Sequence, residues 1–335
     1  MKKKSILLGA VLALSSIMAA CNGDEKASSA SGDDWKPTKP IEFIVPAGAG
    51  GGWDTTARAA AKVLEEQKIV NQRFAAVNKP GGGGAIGWAY IDGKKKDDHL
   101  LFPTSPPIMF VPLNGQSDLG HKDFTPIAAL TADYAAYLVK SDSPFQNMND
   151  LVDAMKKDPK SISVVGDSAP GSMDHMQFVK SVSAAGVDAK NVKYVSAQDG
   201  GGMTMLLGGQ VEVYSTGVGE AVEQVRAGNV RVLGVTSAER IEGDVISDFP
   251  TLKEQGIDDV FVVWRGIMGP KDMSPEAAKY YENALKEMTE TDAWKEELDR
   301  YGWLPNWMGS EEFSKFLDEE YDKIDKLMTE IGLKK

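Results

Sequence analysis

The sequence predicts an α/β fold with largely parallel strands, on three observations. Short apolar runs alternate with amphipathic helical stretches, glycine-rich turns close several of those runs, and about 295 residues remain from Pro40 onward, more than one core usually holds. The runs that read as strands are 41–45, 74–78, 100–103, 127–130, 135–139, 163–165, 192–194, 211–215, 230–236 and 261–267. Helices read over 53–66 after the first glycine run, 149–156 after a turn, 174–185 after Pro170 and Gly171, and briefly over 202–207. Near the C-terminus Ser274 caps Pro275 and Glu276 at a helix start, and Ser310 opens a long helix with Phe313, Leu317, Tyr321, Ile324, Met328 and Ile331 on one face. Aromatic residues at that spacing are read as core. No repeat of solenoid or propeller period is present.

The N-terminus sets the expected compartment. Lys2, Lys3 and Lys4 precede an apolar run over 6–20, too short to span a bilayer and read as a signal peptide. It ends in Ala19, Ala20 and Cys21, the single cysteine of the chain. This looks like a bacterial lipobox, and the likeness implies cleavage before Cys21 and diacylation of its thiol, with Met18 where such boxes more often carry Leu. Residues 21–39, rich in Ser, Ala, Gly, Asp and Lys, read as a flexible tether. No later stretch is apolar enough over its length to read as a membrane helix.

Losing Lys2, Lys3 and Lys4 takes the formal charge from −12 to −15, which argues against a nucleic-acid partner. An anionic ligand must then be attracted by local dipoles, for which backbone amides at helix starts are the usual source.

Four glycine-rich segments offer such amides. The first, P-A-G-A-G-G-G-W-D-T-T-A-R over 46–58, follows a strand and enters a helix. It has no lysine and is not a P-loop. Asp54 stands where a helix cap is expected, so it is read either as that cap or as a residue that orients the loop for ligand. The second, N-K-P-G-G-G-G-A-I-G over 78–87, satisfies G-x-G-x-x-G through Gly82, Gly84 and Gly87, but no acidic residue ends the following strand, so it reads as a second anion nest and not a dinucleotide site. The third spans 166–175 and the fourth 199–209, each at a strand-to-helix turn, with Ser168, Ser172 and Thr204 as hydroxyl donors that could equally cap helices. All four should converge in a crevice beyond the carboxyl ends of the strands.

Catalytic signatures are missing: G-x-S-x-G, H-E-x-x-H and C-x-x-C do not occur. The histidines are His99, His121 and His175, too few for a metal cluster. His175, three residues beyond Ser172, could meet it on a helix face, yet no oxyanion elbow accompanies the pair. The chain is read as a binding protein without cofactor or metal, and not as an enzyme.

In order, these motifs resemble the substrate-binding proteins of tripartite tricarboxylate transporters, the Bug family of extracytoplasmic receptors. The resemblance rests on P-A-G-A-G-G-G-W-D-T-T-A-R and V-N-K-P-G-G-G-G-A-I-G, then on G-S-M-D-H at Gly171 and L-L-G-G-Q-V-E at Leu206. It continues through V-R-V-L-G-V-T-S at Val230, F-P-T-L-K-E-Q-G at Phe249 and W-R-G-I-M-G-P at Trp264. It implies a two-lobed, periplasmic-binding-protein-like "Venus flytrap" of type II-like organisation, with 40–130 and 247–335 in one lobe, 131–246 in the other, and hinges near 130–139 and 232–237. It implies a carboxylate held by backbone amides, hydroxyls and water with few salt bridges. Carried over by motif, the contacts are Ala47, Gly48, Trp53, Asp54 and Thr55, then Gly82, Gly83, Gly84 and Ala85, with Ser105 nearby. From the other lobe come Ser168, Gly171 and Ser172, then Gly201 and Thr204. K-K-K-D-D-H over 94–99 departs from the family's P-D-G-Y turn. The G-G-G-W-D form of the first loop looks most like the tricarboxylate branch, making citrate or tricarballylate the first candidate. Implied partners are membrane subunits of such a transporter, with the receptor a monomer tethered through its lipid. The alternatives are a sensor component of a signalling system, or a receptor for another carboxylate or a neutral solute.

Overall fold

Each strand of the N-terminal part hands the chain to a helix through a turn rich in glycine or proline. β1 (Ile41–Val45) leads into α1 (Gly52–Glu66), β2 (Phe74–Asn78) into α2 (Ala85–Asp92), and β3 (Leu100–Thr104) into α3 (Pro107–Leu113). The long β4 (Thr125–Lys140) follows, then α4 (Met148–Lys157), β5 (Ser163–Gly166), α5 (Met173–Ala184), β6 (Lys193–Ser196) and α6 (Gly202–Leu207). β7 (Val213–Gly217), α7 (Val218–Arg226), β8 (Val230–Val235) and β9 (Val262–Gly269) come next. The chain finishes with α8 (Pro275–Glu290), α9 (Asp292–Tyr301), β10 (Leu304–Gly309) and α10 (Ser310–Glu330). These coordinates are a computed structural model that describes residues 35–197 and 200–335, within one unit spanning Gly32–Lys335. The expected signal peptide, Cys21 and 22–34 of the tether lie outside the described residues, as does Asp199. Trp35, expected in the tether, packs its ring 5.4 Å from Tyr280 and 5.5 Å from both His99 and Tyr281.

The sheet order is β2-β1-β3-β9-β4-β7-β5-β6, with β8 and β10 also pairing with β4. β1 runs parallel to β2 and β3, and β5 parallel to β6 and β7, as the strand-helix alternation requires. The centre corrects the expectation of largely parallel strands, because β3–β9 and the pairings of β4 with β7, β8, β9 and β10 are antiparallel. These partners are far apart in sequence and leave no local signal. β4 also joins two stretches that the sequence divides at Thr131 and Asp133, polar residues that are buried here.

β4 carries the chain between two cores, giving the two-lobed α/β fold. Ile127 and Leu130 belong to a core with Phe43, Trp88, Phe102, Phe110, Trp264, Trp294 and Phe313. Further along, side chains alternate between faces: Ala135, Tyr137 and Val139 enter one cluster with Val164, Val213 and Leu233, while Ala136 and Leu138 enter another with Val165, Tyr214 and Val232. Phe249 packs in the latter and Leu252 and Ile257 in the former, whereas Phe261 lies in the core shared with β1 and β3. Among the described residues no helix is long and apolar enough to cross a membrane.

Candidate functional site

Turns at the carboxyl ends of the parallel strands meet around a cavity of about 470 Å³, a volume suited to a small organic molecule. One wall is 46–53 with Thr55, then Pro80, Gly81, Gly83 and Gly84, with Ser105 and Pro107 beyond β3. The facing wall holds Asp167, Ser168, Ala169, Ser172, Met173 and Asp174 at the start of α5, and Gly200, Tyr214, Gly217 and Glu220. Asp133 of β4, Val263 and Arg265 of β9, and Trp303 close the back.

The first turn runs into a helix start that no side chain caps. The N-cap of α1 is Gly51, which supplies no side-chain cap, and the N–H groups of Gly52 and Trp53 make no hydrogen bond among the described residues. Asp54 is therefore not the cap that the sequence suggested. It sits in the first turn of α1, is 4% exposed, and its carboxylate accepts from the Gly50 N–H (2.9 Å), from Arg58 Nε (2.9 Å) and from Asn78 Nδ2 (2.9 Å). Asn78 also donates to the Ala47 carbonyl at 3.0 Å, so both ends of the turn are tied to β2. Burial pushes the Asp54 carboxyl up, but the bonds from Arg58, Gly50 and Asn78 outweigh it and hold it below the usual carboxylate range. Trp53 lies beneath the turn, donating from Nε1 to Ser105 Oγ at 2.8 Å.

The second turn is shaped by glycine alone. Gly81, Gly82, Gly83 and Gly84 have φ of 122°, 59°, 66° and 115°, and a Cβ on Gly83 would stand 2.9 Å from Val111 Cγ2 and 3.2 Å from Ser172 Oγ on the facing wall. The walls also touch where Asn114 Nδ2 donates to the Gly171 carbonyl (2.8 Å) and Gln116 Nε2 to the Pro170 carbonyl (2.7 Å).

On the facing wall the acids hold the turns together. Asp174 accepts from the Ser168 N–H (2.9 Å) while Ser168 Oγ accepts from the Asp174 N–H (2.8 Å), fastening the loop to the start of α5. Asp167 accepts from the Gly202 N–H at 2.8 Å and from the Tyr214 hydroxyl. Glu220 accepts from the Gly217 N–H at 2.9 Å and from the Thr216 hydroxyl. Burial, with the charges of Glu220 and Asp167 nearby, pushes Asp174 well above the usual carboxylate range. Burial likewise lifts Asp133 to about 6 against the pull of Arg265. His175 does not meet Ser172: its Nδ1 accepts from the Gly171 N–H at 2.9 Å, its ring lies 4.5 Å from Tyr194, and burial lowers it to about 4, so it is a neutral acceptor.

Of the residues singled out from the sequence, Ala47, Gly48, Trp53, Thr55, Gly83, Gly84, Ser105, Ser168 and Ser172 line the cavity. Asp54, Gly82, Ala85, Gly171 and Gly201 are not part of that lining, and Thr204 is exposed on α6. Sequence reasoning missed Asp133, Asp167, Asp174, Tyr214, Glu220 and Arg265. The clue available was W-R-G, a cation placed among apolar strand residues. Among the described residues no group of three His, Cys, Asp or Glu side chains could hold a metal ion.

A family model described as "Tripartite tricarboxylate transporter family receptor" matches residues 56–333. The chain is 26% identical over 302 residues to the UPF0065 protein in the gbd 5' region of Cupriavidus necator, covering 89% of each chain. It is 29% identical to a TctC solute binding protein from Polaromonas solved without ligand, with a TM-score of 0.64 over 88% of this chain and 99% of that one. At 23% identity, R. palustris Rpa4515 solved with adipate superposes with a TM-score of 0.80 over 89% of this chain and 99% of that one.

Proposed function

From the premise that this chain belongs to the tripartite tricarboxylate transporter receptor family, a family of extracytoplasmic receptors for small carboxylates and not of enzymes, we propose that it captures a polycarboxylate and delivers it to transporter subunits in the membrane. The observation that carries the reading is the bare start of α1, where Gly52 and Trp53, with no side chain to cap their amides, line a cavity of ligand size. A 15-residue helix concentrates partial positive charge at that end, so an anion can bind there in a chain of strongly negative net charge. Ser105 and Ser172 add hydroxyl donors from opposite walls. Citrate and tricarballylate are the first candidates, and adipate, the ligand of the Rpa4515 structure, is a natural comparison.

In this proposal the lobes divide where the cores divide, with β4 as one crossing and the stretch between Ile257 and Phe261 as the other. A ligand that touches both walls stabilises the closed arrangement over the open one. Cys21 carries the lipid that tethers the receptor, and Cys21→Ala releases it from the membrane fraction. A thermal-shift series with citrate, tricarballylate, malate, adipate and a neutral sugar tests the ligand class, since binding to the native state alone raises the melting temperature. A shift with carboxylates and none with the sugar supports the proposal; no carboxylate shift at millimolar concentration refutes it.

A further inference from the structure

Among the described residues that line the cavity, Arg265 is the only Lys, Arg or His, set among Asp133, Asp167, Asp174, Glu220 and Glu223. It projects from β9, is 6% exposed, and its Nη2 donates to Asp133 Oδ2 at 2.7 Å. Its guanidinium carbon lies 5.6 Å from the Trp303 ring centre. That bond to Asp133 is the one hydrogen bond the guanidinium makes among the described residues, and its Nε is buried with no partner. A guanidinium offers five donors in a planar fork whose natural complement is a carboxylate. Buried donors left over at a cavity wall are what an incoming acceptor satisfies.

The place of that fork matters. A Cβ on Gly52 would lie 1.8 Å from Arg265 Nη1 and 2.6 Å from its Cζ and Nη2, so the guanidinium fills the space a side chain at 52 would take. Gly52 is the first residue of α1, and the unbonded amides of Gly52 and Trp53 belong to the same turn. A helix start and a buried cation therefore share one corner. The acids of the facing wall are engaged with the amides and hydroxyls of their own turns.

We infer that the ligand's carboxylate is received in this corner, between the Arg265 guanidinium and the uncapped amides of Gly52 and Trp53. The inference rests on the receptor reading above and adds to it the side chain that reads the ligand's charge. It also gives the bare side of Gly52 a purpose, because any larger residue there moves the guanidinium off the amides.

The test is isothermal titration of citrate, malate and adipate into the full chain, its Arg265→Gln and Gly52→Ala variants, and the double variant. Gly52 has no positive φ, so alanine keeps the helix and acts by displacing the far end of a flexible side chain. For whichever acid the wild type binds best, Arg265→Gln weakens affinity at least tenfold and Gly52→Ala at least fivefold, with the melting temperature of Gly52→Ala lowered less than that of Arg265→Gln, because the displaced guanidinium strains its bond to Asp133 without removing it. The double variant is no weaker than Arg265→Gln alone, since both changes remove one contact. Wild-type-like affinity in either single variant, or losses that add, overturns the corner while leaving the receptor reading intact. If Arg265→Gln does not fold, Gly52→Ala alone decides on the same criterion. If the wild type binds none of the three acids, the receptor reading falls and the corner with it.

Discussion

Asp54→Ala separates a residue that holds the ligand loop from one that only supports a helix. The carboxylate anchors three donors at 2.9 Å: the Gly50 N–H in the turn, Arg58 one turn along α1, and Asn78 at the end of β2. Hydrogen bonds to a charged acceptor are each worth about 1.5–3 kcal/mol. Arg58 is half exposed and Asn78 half buried, so both regain water when the carboxylate goes. Gly50 is exposed, so its amide regains water as well, and what is lost is the bond that ties the turn to α1. The net loss is therefore about 2–3 kcal/mol, well short of the sum of three bonds, and lowers the melting temperature by roughly 4–8 °C in a chain of this size. Because the turn must be re-ordered to bind, affinity per folded molecule falls about tenfold, equivalent to about 1.4 kcal/mol. Denaturant unfolding gives the first quantity and calorimetric titration of the native variant the second. Lost stability with unchanged affinity would refute the claim that Asp54 shapes the binding turn.

Gly83→Ala places a Cβ at φ 66° and 2.9 Å from Val111 Cγ2, so it destabilises by about 1–3 kcal/mol and weakens carboxylate binding, read by denaturant melts and titration. Trp53→Phe deletes the buried bond to Ser105 and costs about 1–2 kcal/mol in the same melts. Two buried groups give opposite pH signatures. Asp133, raised from 3.8 to about 6, makes the folded state take up protons below pH 6, so its contribution favours folding as pH falls from about 6 to 4. His175, lowered from 6.5 to about 4, contributes stability that is present above pH 6.5 and lost as pH falls toward 4. Asp133→Asn should thus lose stability on acidification more steeply than wild type, and His175→Asn less steeply, each by on the order of 2–3 kcal/mol across that window in pH-dependent urea melts.

The strand ends and the turns between them could be read from the sequence because glycine reports backbone shape directly. Gly81, Gly82, Gly83 and Gly84 all adopt positive φ, a conformation that side-chain-bearing residues rarely take. α3 could not be read, since it packs Pro107 and Pro112 into 7 residues that look like a loop. α2 was hidden behind the glycine nest that precedes it, and β10, with Pro305 and Gly309, carries no clear period-2 pattern and owes its existence to β4.

The acidic wall escaped for a related reason. Asp167, Asp174 and Glu220 look like ordinary turn and helix-start residues, and that is what their bonds are. Only the fold brings them to one cavity with Asp133 and Arg265, which are 132 positions apart. The expectation that an anion is attracted by local dipoles rather than by overall charge was drawn from net charge. Net charge does not show that Arg265 stands beside the helix start where those dipoles converge.

The most direct measurement is a crystal structure of the protein with the carboxylate that raises its melting temperature most. The account predicts one ligand carboxylate within hydrogen-bond distance of the Gly52 or Trp53 amide and of Arg265, between the turns at 46–53 and 80–84. A ligand bound elsewhere, or one in this cavity with its carboxylate turned toward Asp167 and Asp174, would contradict it.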